Sequence, residues 1–195
     1  MKEILKCGKD PTYFLNTYAR ISHPLHGTIP FRTYDFQQDL LDDFNDYRFN
    51  VILKARQLGI STITAGYVVW LMLFHRDKNV LVMATKFGTA AHIDGLEELW
   101  TGLYPTLSTG GRCIALSTPN GVGNWFHKTY MESDSGANNF HPTNLPWDVH
   151  PDRDQNWFEK ETANMSRRQI GNCYRPRGFK QISTKHQRTK VQNSI

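Results

Sequence analysis

Leu53-Lys-Ala-Arg-Gln-Leu-Gly-Ile-Ser-Thr62 is the stretch on which the fold turns. The apolar run that enters it, Phe49-Asn-Val-Ile-Leu53, is short, rich in Val, Ile and Leu, and lacks alternation. That pattern predicts a strand buried on both faces. Behind it, Ser61 to Phe74 is apolar almost all round and long enough for a helix packed on a sheet. Thr62, Ile63, Val68 and Val69 lower its intrinsic helix propensity. A strand, a turn with Gly59 and a helix opening on Ser61-Thr62 is how a phosphate cradle is built. Glycine lets the backbone approach the anion, the first helical N–H groups face it, and the Ser61 or Thr62 hydroxyl reaches Mg²⁺. The full pattern G-x-x-x-x-G-K-[ST] is not met, because there is one glycine and Ile60 stands at the lysine position. Lys54 or Arg56, at the front of the loop with Gln57, is then the candidate cation. An ordinary strand–turn–helix junction has the same outline.

Outward from the loop, Asn79-Val-Leu-Val-Met-Ala84 and Arg112-Cys-Ile-Ala-Leu116 read as two more buried strands, which makes the class α/β. A helix is expected from Thr85 to Leu99, with Pro105 and Gly110-Gly111 bracketing a turn before the third strand. Phe36, Leu40, Leu41 and Phe44 recur at helical spacing, so Asp35–Phe44 is an amphipathic helix. Thr12–Ile21 reads as a short helix opened by Asp10-Pro11, and His23–Gly27 as a loop whose two histidines lack a third ligand. Asp154–Met165 is a last amphipathic helix, capped by Asp152 or Asp154. With 195 residues, 39% apolar and 21% charged, the chain fits one domain, or two small ones if the second is very compact. Mean hydropathy is −0.54 and no apolar run approaches the length of a membrane span, so no membrane partner is expected. Met1–Asp10 has no apolar core of a secretory signal. Cys7, Cys113 and Cys173 lie far apart, against structural zinc or a disulfide framework and for a reducing compartment.

The net charge of +5 is unevenly divided. Residues 1–166 carry 15 basic and 18 acidic side chains, whereas Arg167 to Ile195 holds eight basic ones and no acid. Arg167, Arg168, Arg175, Arg177 and Lys180 lead this run and are the candidate DNA contacts. Beyond Gly178 little apolar material remains, which predicts a basic, disordered tail over 179–195.

The second chemical segment is Leu116-Ser-Thr-Pro-Asn-Gly-Val-Gly-Asn124, directly after the third strand. Polar residues at the C-terminal end of a parallel strand are where α/β sheets place ligands. Ser117, Thr118 and Asn120 are suited to a phosphate or a water, and Pro119-Asn120-Gly121 is also a common turn. The two segments together resemble the large terminase subunit of T4-like tailed bacteriophages, the ATPase of the DNA-packaging motor. Lys54–Thr62 looks like that family's deviant Walker A loop, and Ile114-Ala-Leu-Ser-Thr-Pro-Asn-Gly121 like its coupling motif. Phe36-Gln37 stands where the family carries an adenine-recognising glutamine, and Leu145–Asp154 with Trp157 resembles the stretch after the coupling motif. The resemblance covers roughly residues 30–175.

It implies a three-layer P-loop NTPase-like core over residues 31–178 with a mainly parallel sheet, preceded by an N-terminal segment, 1–30. It implies ATP and Mg as cofactors, with Gln37 on adenine, Lys54 or Arg56, Gln57 and Gly59 on phosphates, and Ser61 or Thr62 on Mg. Ser117, Thr118, Pro119, Asn120 and Gly121 would carry the coupling step. The implied partners are double-stranded DNA, the portal protein and the small terminase subunit, in the host cell cytoplasm and not in the mature virion. Two departures stand out. No apolar run between Thr85 and Gly111 ends in Asp or Glu, so the Walker B strand is missing; Asp94, Glu97 and Glu98 read as a solvated helix face. The family's nuclease domain is absent as well, and Asp148, Asp152 and Asp154 read as loop and cap. Loss of an inner strand is expected to force its neighbours to re-pair, with marginal stability, and to leave hydrolysis defective. A helicase-like nucleic-acid ATPase and a non-catalytic nucleotide- or DNA-binding remnant are the alternative readings.

Overall fold

The computed structural model describes residues 1–23, 25–78, 80, 93–107, 110–119 and 123–174. In chain order the helices are α1 (Lys2–Lys9), α2 (Pro11–Tyr18), α3 (Asp35–Asp46), α4 (Ile60–Phe74), α5 (Ile93–Leu107), α6 (Trp125–Asp134), α7 (Gln155–Thr162) and α8 (Arg167–Cys173). The strands are β1 (Arg20–His23), β2 (Gly27–Pro30), β3 (Phe49–Lys54), β4 (Cys113–Ser117) and β5 (His141–Leu145). β1 and β2 form an antiparallel hairpin. The other three make a parallel sheet in the order β4-β3-β5. The class is therefore α/β.

β3 is the centre of the molecule because its side chains alternate between two buried faces. Ile52 joins Leu40, Leu41 and Phe44 of α3 and Ile60, Ile63, Tyr67 and Trp70 of α4. Val51 and Leu53 point the other way, to Tyr130, Phe126 and Met131 of α6. Helices thus cover both faces of the sheet, three layers in all. Leu15 of α2 belongs to the α3/α4 core, and Trp70 Nε1 donates to the Cys7 carbonyl at 2.7 Å. The first thirty residues are packed onto the body rather than set apart from it.

Several elements differ from the sequence reading. The helix expected over Thr12–Ile21 ends at Tyr18, where Ala19 turns extended and Arg20-Ile21 enter the hairpin. The two ends of the loop expected at His23–Gly27 are strand residues, His23 pairing with Gly27, and Pro24 lies outside the described residues. α1 has no counterpart in that reading: Ile4 and Leu5 stay exposed and Cys7 is its one buried residue, so no apolar stripe marks it. The strand expected at Asn79–Ala84 lies, apart from Val80, outside the described residues. The following helix runs past Leu99 to Leu107 with Pro105 inside it. Proline there removes the N–H that would donate to the Thr101 carbonyl, and its ring crowds that carbonyl. Arg48 secures that end, donating to the Gly111 and Leu107 carbonyls. Asp154 is the cap of α7, accepting from the Trp157 N–H at 2.7 Å, but a second cap at Ser166 divides the expected single helix into α7 and α8.

β3 and β4 pair directly, Phe49 with Cys113 through Leu53 with Ser117. β5 occupies the other edge of β3, Asn50 with His141 through Lys54 with Leu145. β3 is thus covered on both edges and both faces.

Candidate anion-binding site

Parallel pairing sends the C-terminal ends of β4, β3 and β5 to one edge of the sheet, and the polar residues of both motifs meet there. β3 ends at Lys54; Ala55 extends its pairing, donating to the Leu145 carbonyl at 2.8 Å. The chain then turns through Gln57 (φ 58°) and Gly59 (φ 72°), both left-handed, and enters α4 at Ile60. Ile63 N–H closes the first helical bond onto the Gly59 carbonyl at 3.0 Å. The N–H groups of Ile60, Ser61 and Thr62 precede any partner that the helix can supply. Gly59, Ser61 and Thr62 are exposed beside them. Both hydroxyls stand at the positive end of the helix dipole.

Three carbonyls of the loop are held from outside. Arg153 donates to Arg56 O at 3.1 Å and to Gln57 O at 2.7 Å. Gln37 Nε2 donates to Leu58 O at 2.9 Å. The Arg56 N–H is tied to the Cys173 carbonyl at 2.8 Å, so the end of α8 abuts the loop. The cradle is a frame built by residues from four distant parts of the chain.

Lys54 is half-buried, and burial, then the neighbouring Arg56 charge, lowers its pKa. No carboxylate pairs with it among the described residues. A desolvated cation without a counter-ion favours an arriving anion. Arg56 and Gln57 are exposed at the front of the loop. Gln37, by contrast, is only 2% exposed, and its carboxamide is engaged at both ends, accepting from the Tyr34 N–H at 3.1 Å and donating to Leu58. In this geometry it supports the loop rather than facing a base.

On the neighbouring strand Ser117 lies level with Leu53, and its hydroxyl donates to the Thr118 carbonyl at 2.8 Å. Thr118 is half-buried and Pro119 buried; Asn120 and Gly121 lie outside the described residues. Arg167 and Arg168 are exposed on α8, whereas Arg175, Arg177 and Lys180 fall outside the described residues. The basic run thus begins as a capped helix that packs Ile170, Cys173 and Tyr174 into the core. Glu97 and Glu98 are exposed on α5, and Glu97 lines a cavity with Phe49, at the opposite end of β3 from the loop. Among the described residues, no three His, Cys, Asp or Glu side chains gather as a metal site. None of β3, β4 and β5 ends in Asp or Glu.

Sequence reasoning missed several members of the site. Arg153 and Asn144 reach the edge through β5 and the turn after it, a strand that periodicity does not reveal. Asn144 lies level with Leu53 across β3, and its Oδ1 is buried without a hydrogen-bond partner. Tyr34 and His150, with ring centroids 4.4 Å apart, and Phe36, 5.7 Å from Tyr34, form an aromatic flank where α3 begins. Burial, then the nearby Arg153 charge, lowers the His150 pKa, against the pull of Asp152. No protein-family model matches the chain.

Proposed function

We propose that this edge of the sheet binds the phosphates of a nucleotide, and that the chain is the ATPase part of a terminase-like DNA-packaging protein. One observation carries the reading: a helix start with Gly59, Ser61 and Thr62 exposed at the end of the central buried strand, beside the Ser117-Thr118 end of the adjacent parallel strand. Lys54 or Arg56 would neutralise the phosphates, and the N–H groups from Gly59 to Thr62 would cradle them. Mg fits the Ser61 or Thr62 hydroxyl, exposed at the helix start; when bound it would neutralise phosphate charge. The flank of Tyr34, Phe36 and His150 offers aromatic faces for the base, with Gln37 stiffening the loop behind it. Double-stranded DNA, the portal protein and the small terminase subunit are partners under this proposal, and the host cytoplasm its compartment.

Mg-ATP is expected to raise the melting temperature by mass action, and inorganic pyrophosphate to do the same more weakly. Hydrolysis is expected near background, because phosphoryl transfer needs a held metal and an oriented water as well as bound phosphates. No carboxylate at the described strand ends meets either need, which also favours the second reading, a non-catalytic nucleotide-binding protein. Turnover at ~1 s⁻¹ or above, in the ordinary enzyme range, would refute the expectation, and Glu97 and Glu98 would be the first positions to change.

The basic C-terminal run makes a separate prediction. Ending the chain at Met165 would remove α8 and with it Cys173 and Tyr174 from the core. The informative truncation therefore ends at Tyr174. It is expected to keep the fold and to lose most duplex-DNA affinity, with a smaller salt slope, since log K falls by roughly 0.9 per duplex phosphate neutralised. Arg167→Gln with Arg168→Gln should weaken binding further. Equal DNA binding by the full and shortened chains at low salt would exclude the run as a DNA contact.

A further inference from the structure

We infer that Arg153 is the positioning residue of the phosphate loop, an inference that rests on reading Lys54–Thr62 as an anion cradle. Its guanidinium bridges two successive peptide groups, Nη1 to Arg56 O at 3.1 Å and Nη2 to Gln57 O at 2.7 Å. The indole of Trp157 lies 4.4 Å from the guanidinium carbon and fixes its plane. Trp157 is itself held, stacked on Trp147 and edge-on to Tyr174. The fork therefore projects from a rigid aromatic wall.

A trans peptide is planar, with its C=O and the following N–H pointing in opposite directions. Drawing the carbonyls of Arg56 and Gln57 toward Arg153 turns the N–H groups of Gln57 and Leu58 away from it. Gln37 does the same one peptide further on, taking Leu58 O and turning the Gly59 N–H. Three consecutive amides ahead of the helix start are thereby turned away from the side chains that hold their carbonyls. Gln57 adopts φ 58°, a left-handed conformation that a non-glycine residue keeps only when its surroundings impose it. Arg153 is the side chain that imposes it. Lysine cannot replace it, because a single ammonium lacks the planar fork that spans two acceptors.

Residue-resolved amide exchange and a pyrophosphate titration followed at the Gly59 amide test this on the full chain. The Arg56 N–H is a suited reporter, being hydrogen-bonded to Cys173 O and adjacent to the gripped carbonyl. In Arg153→Gln the Arg56 amide should exchange about tenfold faster or more, the scale of a lost charged hydrogen bond. The amides of Val51 and Ile52 in β3 should not change, and pyrophosphate should bind about tenfold more weakly. Arg153→Lys should behave like Arg153→Gln, and Trp157→Leu should fall between these and the wild type. Unchanged exchange at Arg56, full recovery in Arg153→Lys, or equal acceleration at Arg56 and throughout the core would each overturn the inference. If the wild-type chain does not bind pyrophosphate, the cradle reading fails, while the exchange rates still decide whether Arg153 holds the loop.

Discussion

Gly59→Val is expected to abolish the nucleotide-induced rise in melting temperature and, before any ligand is added, to destabilise the fold by about 3 kcal/mol. Two costs combine. Gly59 sits at φ 72°, where a β-branched side chain is strained by roughly 1–3 kcal/mol. A Cβ at this position would also lie 2.7 Å from Gln37 Nε2. Gln37 is the tip of a flexible side chain, but it is buried and fixed at both ends, so yielding means releasing Leu58 O. A buried carbonyl left without a donor costs about 1–3 kcal/mol. For a chain of this size the sum lowers the melting temperature by roughly 10 °C. The new side chain also stands where the backbone must approach the phosphates. Thermal melts with and without Mg-ATP measure both effects, and a variant that keeps the full ATP shift would mean that the cradle lies elsewhere.

Gln37→Ala should be nearly as damaging, and for a reason that separates two roles. The substitution removes the donor to Leu58 O and the acceptor for the Tyr34 N–H at the start of α3. A lost helix-start partner costs about 1 kcal/mol, and the orphaned Leu58 carbonyl adds about 1–3 kcal/mol. Urea denaturation should show a loss of about 3 kcal/mol in total. ATP and pyrophosphate should weaken together, because the damage is to the phosphate loop. Were Gln37 chiefly an adenine contact, the variant would melt like the wild type and lose ATP affinity while keeping that for pyrophosphate.

What could be read from the residues divides along physical lines. β3 is legible because a strand buried on both faces must be apolar throughout, and α4 because its apolar run is long enough for a helix, although Val69, Met72 and Leu73 face outward. α3 shows its stripe because one face meets solvent, and α7 its cap because Asp154 bonds locally to Trp157. β5 is illegible: His141-Pro-Thr-Asn-Leu145 has little strand propensity and is extended because β3 pairs with it, Pro142 being tolerated on an edge strand. Pro105 misleads, since a proline in a last helical turn resembles one that starts a turn. The glycine, the hydroxyls and the cations of the loop are visible in the chain as neighbours. Arg153 is not, for its contact spans 96 residues to Gln57 and leaves no local pattern.

The tie between the Arg56 N–H and the Cys173 carbonyl also bears on how the chain reaches this state. β3 is made early, yet its partners follow some sixty and ninety residues later, and the last hydrogen bond to the loop waits for residue 173. Contacts so distant in sequence are slow to form, because chain closure must be completed before they contribute. During synthesis the nascent chain therefore presents its most apolar strand with both edges bare, a template for mispairing with a neighbouring chain. Expression yield should respond to whatever shelters Phe49–Lys54 in that interval, and a chain cut before β5 should aggregate where the whole one stays dispersed.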